Sequence, residues 1–212
     1  MKITKYEHSC LDITLDGKRL LIDPGVVTIT IPNYQNIDAV LVTHMHPDHF
    51  DLDKLVAIRA ENPDCLIYTV QAVADLVGTQ LELTIINRGD IASVGPFNLE
   101  FFGGQHAVIH SSTPTTDNVG VTINGRFYYS GDSLSVPSLS IDVLAVPITA
   151  PWLKISEAMD FITAIKPVRV FPVHDALLSD FGFEVNAKWL KNAAEVIGAE
   201  FITLKPGESL ST

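Results

Sequence analysis

The stretch Ala39-Val40-Leu41-Val42-Thr43-His44-Met45-His46-Pro47-Asp48-His49 decides how the chain is read. Its first four residues form a continuous apolar run, the pattern of a strand buried on both faces. The polar loop that follows packs four potential metal ligands, His44, His46, Asp48 and His49, into six residues. Imidazole nitrogen and carboxylate oxygen suit zinc, manganese or iron, and a sharp loop at a strand's end can gather such groups round one point. The competing account is a solvated loop with a chance cluster of histidines. An affinity tag is excluded by the internal position and by the interleaved Met45 and Pro47.

Upstream, Ile3 to Ile22 alternates loosely and breaks at Asp16-Gly17, which predicts two or three short strands with a hairpin, ended by the turn Asp23-Pro24-Gly25. Downstream, helical spacing predicts a helix over Asp51–Ala60, followed by a strand at Leu66–Thr69 and a helix at Ala72–Val77 capped by Gly78. Short β segments are expected from Leu83 to Phe102. The sequence Val119–Ile123, Asn124-Gly125, Phe127–Ser130 is a hairpin signal, because Asn-Gly favours the type I′ turn. Ile141–Val146 and Val168–Val173 read as buried strands on either side of a helix over Ile155–Lys166. The last helix is placed at Glu184–Ile197, and the last strand at Phe201–Leu204.

With 212 residues, 47% of them hydrophobic, and a mean hydropathy of +0.25, the chain can bury a sizeable core as one domain, 1–212. No repeat, linker or low-complexity tract marks an internal boundary. A formal charge of −11 and no run of Lys or Arg argue against a nucleic-acid partner. No apolar run reaches the roughly 18 residues that span a bilayer, and the N-terminus lacks a signal-peptide core, so a cytoplasmic location with no membrane partner is expected. Cys10 and Cys65 have neither zinc-knuckle nor redox spacing and read as buried free thiols. Nothing in the sequence opposes a homo-oligomer.

Three further polar residues sit at predicted strand ends: His106 after Gly103-Gly104, Asp132 in Ser130-Gly131-Asp132-Ser133, and His174 after Val170–Val173. Singly each is weak, since a lone histidine is more often structural; their occurrence in order after the loop is what carries weight.

The pattern His-x-His-x-Asp-His resembles the signature of the metallo-β-lactamase superfamily. Tyr6-Glu7-His8-Ser9-Cys10, Leu21–Gly25, Ser130–Ser133 and Pro172-Val173-His174-Asp175 extend the resemblance to its L-ascorbate-6-phosphate lactonase-like branch of metal-dependent hydrolases. The residues alone give an α/β or α+β fold with a mixed sheet; the resemblance implies the four-layer αββα sandwich. It also implies two divalent metal ions, zinc by default with manganese or iron allowed, the first held by His44, His46 and His106, the second by Asp48, His49 and His174, with Asp132 between them. His110, four residues beyond His106, competes for the third histidine position, and His106 is preferred because it directly follows the glycine-marked strand end. The implied chemistry is hydrolysis of an ester, lactone or phosphodiester bond of a small-molecule substrate by hydroxide shared between two metals, with Asp48 and Asp132 as its catalytic carboxylates.

Asp23 could hydrogen-bond a ligand histidine or merely cap the turn before Pro24. His8, His110 and Trp152 are candidate substrate contacts, each with a plain structural alternative. Two rival classes stand beside the hydrolase. An iron-dependent redox enzyme, of the sulfur oxygenase-like kind, leaves the complete second ligand set unexplained, and the di-iron kind usually carries a carboxylate where this chain has His46. A non-enzymatic metal-binding module leaves a hydroxide-generating site without purpose.

Overall fold

The structure, a computed structural model, describes residues 1–212. In chain order its elements are β1 (Lys2–Lys5), β2 (Leu11–Leu15), β3 (Lys18–Ile22), β4 (Ala39–Val42), α1 (Leu52–Glu61), β5 (Leu66–Thr69), α2 (Gln71–Val77), β6 (Thr84–Ile85), β7 (Ile91–Val94), β8 (Phe97–Gln105), β9 (Asp117–Ile123), β10 (Phe127–Tyr129), β11 (Val143–Pro147), α3 (Ile155–Ile165), β12 (Arg169–Val173), α4 (Asp180–Val196), β13 (Glu200–Phe201) and β14 (Ser209–Ser211). The strands form two seven-stranded mixed sheets, ordered β14-β1-β2-β3-β4-β5-β6 and β13-β12-β11-β10-β9-β8-β7.

Side-chain alternation explains the layering. In β10 and β11, Phe127, Tyr129, Val143 and Ala145 point into a core shared with the first sheet, whereas Tyr128, Leu144 and Val146 pack with Ala158, Phe161 and Ile162 of α3 and with Leu190 and Ala194 of α4. On the other side, Leu55 and Ile58 of α1 and Val73 and Val77 of α2 join the core that contains β4, all four of whose residues are buried. The result is helices, sheet, sheet, helices: the expected αββα sandwich.

Strand direction positions the site. In the first sheet β3, β4 and β5 run parallel, and β1 shares their direction because it is antiparallel to β2, which is antiparallel to β3. In the second sheet β10, β11 and β12 run parallel, and β8 runs with β10 through the intervening antiparallel β9. The C-terminal ends of these strands lie along one edge of each sheet, the edge where open α/β sheets bind ligands.

Most expected elements appear within a residue or two. Three differ. The last helix begins at Asp180, one turn earlier than its apolar pattern indicates, because Ser179 Oγ accepts the Gly182 N–H and caps it. The last predicted strand shrinks to β13, which pairs with β12 at two positions only. The unexpected β14 pairs antiparallel with β1, bringing the two chain ends together. Both cysteines are free and buried, as expected. No helix is long and apolar enough to cross a membrane.

Candidate metal centre

The loops after these strand ends carry the candidate residues: His8 after β1, Asp23 after β3, His44 to His49 after β4, His106 after β8, Asp132 after β10, Trp152 after β11 and His174 after β12. Two glycines let the loops meet. A Cβ on Gly25 would collide with the Asp48 carbonyl, and one on Gly131, whose φ is +58°, would collide with Asn118 Oδ1 and Thr43 Cβ. Three of the residues, His8, Asp23 and His174, hold positive φ angles of 62°, 47° and 62°. Non-glycine residues rarely adopt such angles, and the strain is of the kind found at functional sites.

The donor atoms fall into two groups, each within 4.8 Å: His44, His46, His106 and Asp132; and His8, Asp48, His49 and His174. Asp132 stands between them. Its Oδ2 lies 3.4 Å from His106 Nε2, 3.9 Å from His44 Nε2 and 3.1 Å from His174 Nε2, and its Oδ1 lies 3.2 Å from His49 Nε2. Two ligands about 2.1 Å from an ion at a tetrahedral angle are themselves about 3.4 Å apart, so these separations suit shared coordination.

Hydrogen bonds set the imidazole tautomers. The His49 Nδ1–H donates to Asp23 Oδ2 at 2.7 Å, the His106 Nδ1–H to the Ala107 carbonyl at 2.6 Å, and the His44 Nδ1–H to Thr43 Oγ1 at 3.1 Å. In its neutral form each ring therefore turns an unprotonated Nε2 towards the centre. The Nε2 atoms of His44, His49, His106 and His174 and Oδ1 of Asp132 are buried without a hydrogen-bond partner in the protein. Buried polar atoms are seldom left so, and a ring of nitrogen lone pairs round a carboxylate is the donor set of a divalent cation. The residues fit the metal that the sequence implies.

Electrostatics agree. Burial favours the neutral acid of Asp132, but the flanking His49 and His174 outweigh it and hold the carboxyl well below its ordinary range. Asp48 is likewise lowered, with burial overcome by the rings of His174 and His8, whose Nε2 atoms lie 3.5 Å and 3.0 Å from its Oδ2. In the metal-free chain the complementary charge falls on two rings. Burial opposes protonation of His174, yet Asp132 and Asp48 lift it to about 9, and Asp132 and Asp23 raise His49 well above the usual histidine range. Burial depresses His44, and to a lesser degree His46.

The remaining candidates resolve as follows. Asp23 is fully buried and accepts the Thr43 N–H, the Thr43 hydroxyl, the His49 Nδ1–H and the Tyr129 hydroxyl, none of them in the turn Asp23-Pro24-Gly25. The Trp152 Nε1–H donates to Asp132 Oδ2 at 2.9 Å, and its ring stands edge-on 6.0 Å from His106. His8 is buried among the second group instead of facing solvent. His110 is exposed, bonded within its own turn to Ser112, and outside both donor groups. Thr43, Tyr129 and Asn118, whose Oδ1 accepts the Asp132 N–H, were not legible as site residues. Thr43 alone carried a signal, as the one hydroxyl between the strand and the first histidine.

A chain that folds as an αββα sandwich with two His/Asp donor groups at one edge of its sheets belongs to the β-lactamase superfamily: the family described as "Beta-lactamase superfamily domain" matches residues 2–174. Among curated relatives it is 35% identical to Protein Rv0786c of Mycobacterium tuberculosis, over 84% of this chain and 86% of that one. It is 29% identical to the UPF0173 metal-dependent hydrolase NEQ378 of Nanoarchaeum equitans, over 99% of both. Among solved structures, the metallo-beta-lactamase fold protein YhfI of Bacillus subtilis superposes with a TM-score of 0.76 at 19% identity, covering 99% of this chain and 98% of that one.

Proposed function

We propose that the chain, a metal-dependent hydrolase of the metallo-β-lactamase fold, holds two divalent ions and cleaves an ester, lactone or phosphodiester bond of a small molecule. The observation that carries this reading is the position of Asp132 between two complete donor groups. His44, His46 and His106 would hold one ion and Asp48, His49 and His174 the other, with Asp132 serving both. Zinc suits the nitrogen-rich set best, and manganese or iron is chemically allowed. Bound there, the pair would lower the pKa of a shared water towards neutrality and offset the charge that builds on the attacked oxygen.

The side chains around that centre divide the work. Asp48 is the open carboxylate, 32% exposed against 4% for Asp132, so it is the one placed to orient an incoming water and meet substrate. Trp152 holds Asp132 through its indole N–H and walls the site beside His106. No lysine or arginine hydrogen-bonds a residue of either donor group; Lys5 is tied to Asp175, and Lys54 to Asp51 and the Gly25 carbonyl. A neutral ester or lactone therefore needs nothing further from the protein, whereas a phosphoryl group would rest on the ions alone.

Elemental mass spectrometry of untagged protein, followed by a panel of esters, lactones and phosphodiesters, tests the reading. The expected result is close to two ions per chain and hydrolysis of at least one class. In the same assay Asp132→Ala should abolish most turnover while thermal unfolding shows a folded chain. Near-normal turnover by that variant, or one iron per chain, would overturn the mechanism.

A further inference from the structure

His8 is held by three contacts that reach across the molecule. Its carbonyl accepts the His174 N–H at 2.9 Å, its Nδ1 accepts the Ala176 N–H at 3.1 Å, and its Nε2 lies 3.0 Å from Asp48 Oδ2. Its ring stands 3.9 Å from that of His174, centroid to centroid, and is 1% exposed. The Ala176 contact settles which nitrogen carries the proton. A backbone N–H can only donate, so Nδ1 must present its lone pair, and the single proton of the neutral ring lies on Nε2. Nε2 is then a donor to Asp48 and has no lone pair to give an ion. This is the reverse of His44, His49 and His106, whose protons sit on Nδ1.

From these contacts we propose that His8 is a positioning residue for one half of the centre: its Nε2–H fixes the Asp48 carboxylate against His49 and His174 without itself binding metal. The role rests on the two-ion reading above. It accounts for the strained φ of both His8 and His174, since the backbone bond between them joins the β1–β2 turn of the first sheet to the loop after β12 of the second. It also predicts an asymmetric effect. Losing the His8 donor should weaken the ion held by Asp48, His49 and His174 and spare the one held by His44, His46 and His106.

Two substitutions separate the functions of the ring. In His8→Asn the side-chain oxygen can still accept the Ala176 N–H but reaches no further, so the bond to Asp48 is lost; asparagine also tolerates positive φ. In His8→Gln the terminal amide reaches the place of Nε2 and can donate to Asp48. Zinc titration by calorimetry, with elemental analysis after dialysis, should show two ions in the wild type. His8→Asn should keep one at unchanged affinity and bind the other about 10–100-fold more weakly. His8→Gln should recover most of that loss, and thermal unfolding without zinc should show both variants folded. Equal binding by wild type and His8→Asn would overturn the role. Loss in His8→Gln as deep as in a folded His8→Asn would show the ring nitrogen to be a ligand, which also overturns it. A single ion in the wild type would instead bring down the two-ion reading, and this role with it.

Discussion

Replacing Asp23 tests whether the centre depends on residues that never touch an ion. Its Oδ2 accepts the Thr43 hydroxyl, the Tyr129 hydroxyl and the His49 Nδ1–H, each at 2.7 Å, while Oδ1 accepts the Thr43 N–H at 2.8 Å. Asp23→Ala would orphan four buried donors; at about 1 kcal/mol each, the low end for such groups, the loss reaches about 4 kcal/mol, a large share of a domain's stability. Asp23→Asn is the sharper probe because it preserves volume. An amide has one acceptor: if its oxygen takes the place of Oδ2, the NH₂ opposes the Thr43 N–H, and if it takes the other place, the NH₂ opposes three donors, His49 among them. The first arrangement leaves one donor unpaired, for about 1–3 kcal/mol, and replaces a charged acceptor on His49 with a neutral one. The ion that His49 would hold should then bind about 10–100-fold more weakly, equivalent to about 1.4–2.8 kcal/mol. The assay is dialysis against a zinc buffer of fixed free concentration, with ion content by elemental mass spectrometry and unfolding followed with and without zinc. An Asp23→Asn chain destabilised by the expected amount yet binding both ions as tightly as the wild type would refute the argument, leaving Asp23 as a residue that only holds Thr43 and Tyr129 in the fold.

Trp152→Phe keeps the aromatic wall but removes the N–H from Asp132 Oδ2. It should retain both ions and lower kcat about tenfold, the low end for a hydrogen bond to a charged group; unchanged steady-state kinetics would reject a role for the indole. Metal binding should also be coupled to pH. In the metal-free chain burial disfavours the charged His174 and His49 rings, but nearby carboxylates outweigh it, raising His174 to about 9 and His49 well above its usual range. Ions must displace those protons, so affinity should rise with pH above neutrality by up to about tenfold per pH unit per proton, the His174 part levelling off above about 9. Because both folded-state values are raised, their contribution to the stability of the metal-free chain is full below about 6.5; the His174 part is lost as pH climbs through about 9, and the His49 part is lost as pH passes its own raised value. Calorimetry at pH 7 in buffers of different ionisation enthalpy measures the released protons directly, and a buffer-independent heat would refute the assignment.

How much of this was legible depended on how local the signal was. The His44–His49 loop could be read outright because four donors fall within six residues beside an apolar strand. His106, Asp132 and His174 became legible through their order and their places at strand ends, and the structure brings all three to the same centre. The helix start at Asp180 was missed because Phe181, Gly182 and Phe183 give no helical period, and the deciding feature is the Ser179 cap. β14 was missed because Ser209-Leu210-Ser211 is too short to show alternation and its partner, β1, lies at the opposite end of the chain. The place of His8 could not be read at all. A histidine after a first strand looks the same whether it faces substrate, packs in a core or steers a carboxylate, and here the answer depends on an N–H from Ala176, far along the chain.

The two sheets contribute unequal and interlocking parts of the centre. His8, Asp23 and the His44–His49 loop come from the first sheet; His106, Asp132 and His174 come from the second. Neither donor group can be assembled from one sheet alone, because His44 and His46 need His106 and Asp132, and Asp48 and His49 need His174. The backbone bonds from His174 to His8 and from Val119 to Thr43 cross between the sheets, one joining the loops after β1 and β12 and the other joining the loop after β4 to β9. The geometry of the centre is thus a property of the docked sandwich. Ligand atoms that are buried and unpaired without an ion oppose that docking, at about 1–3 kcal/mol for each such group, while any ion that binds the docked form and not the open chain adds its binding free energy to folding. Strained angles at His8, Asp23 and His174 are tolerable for the same reason: the hydrogen bonds and ion ligation they make possible are formed at the one seam where both sheets must already be in register.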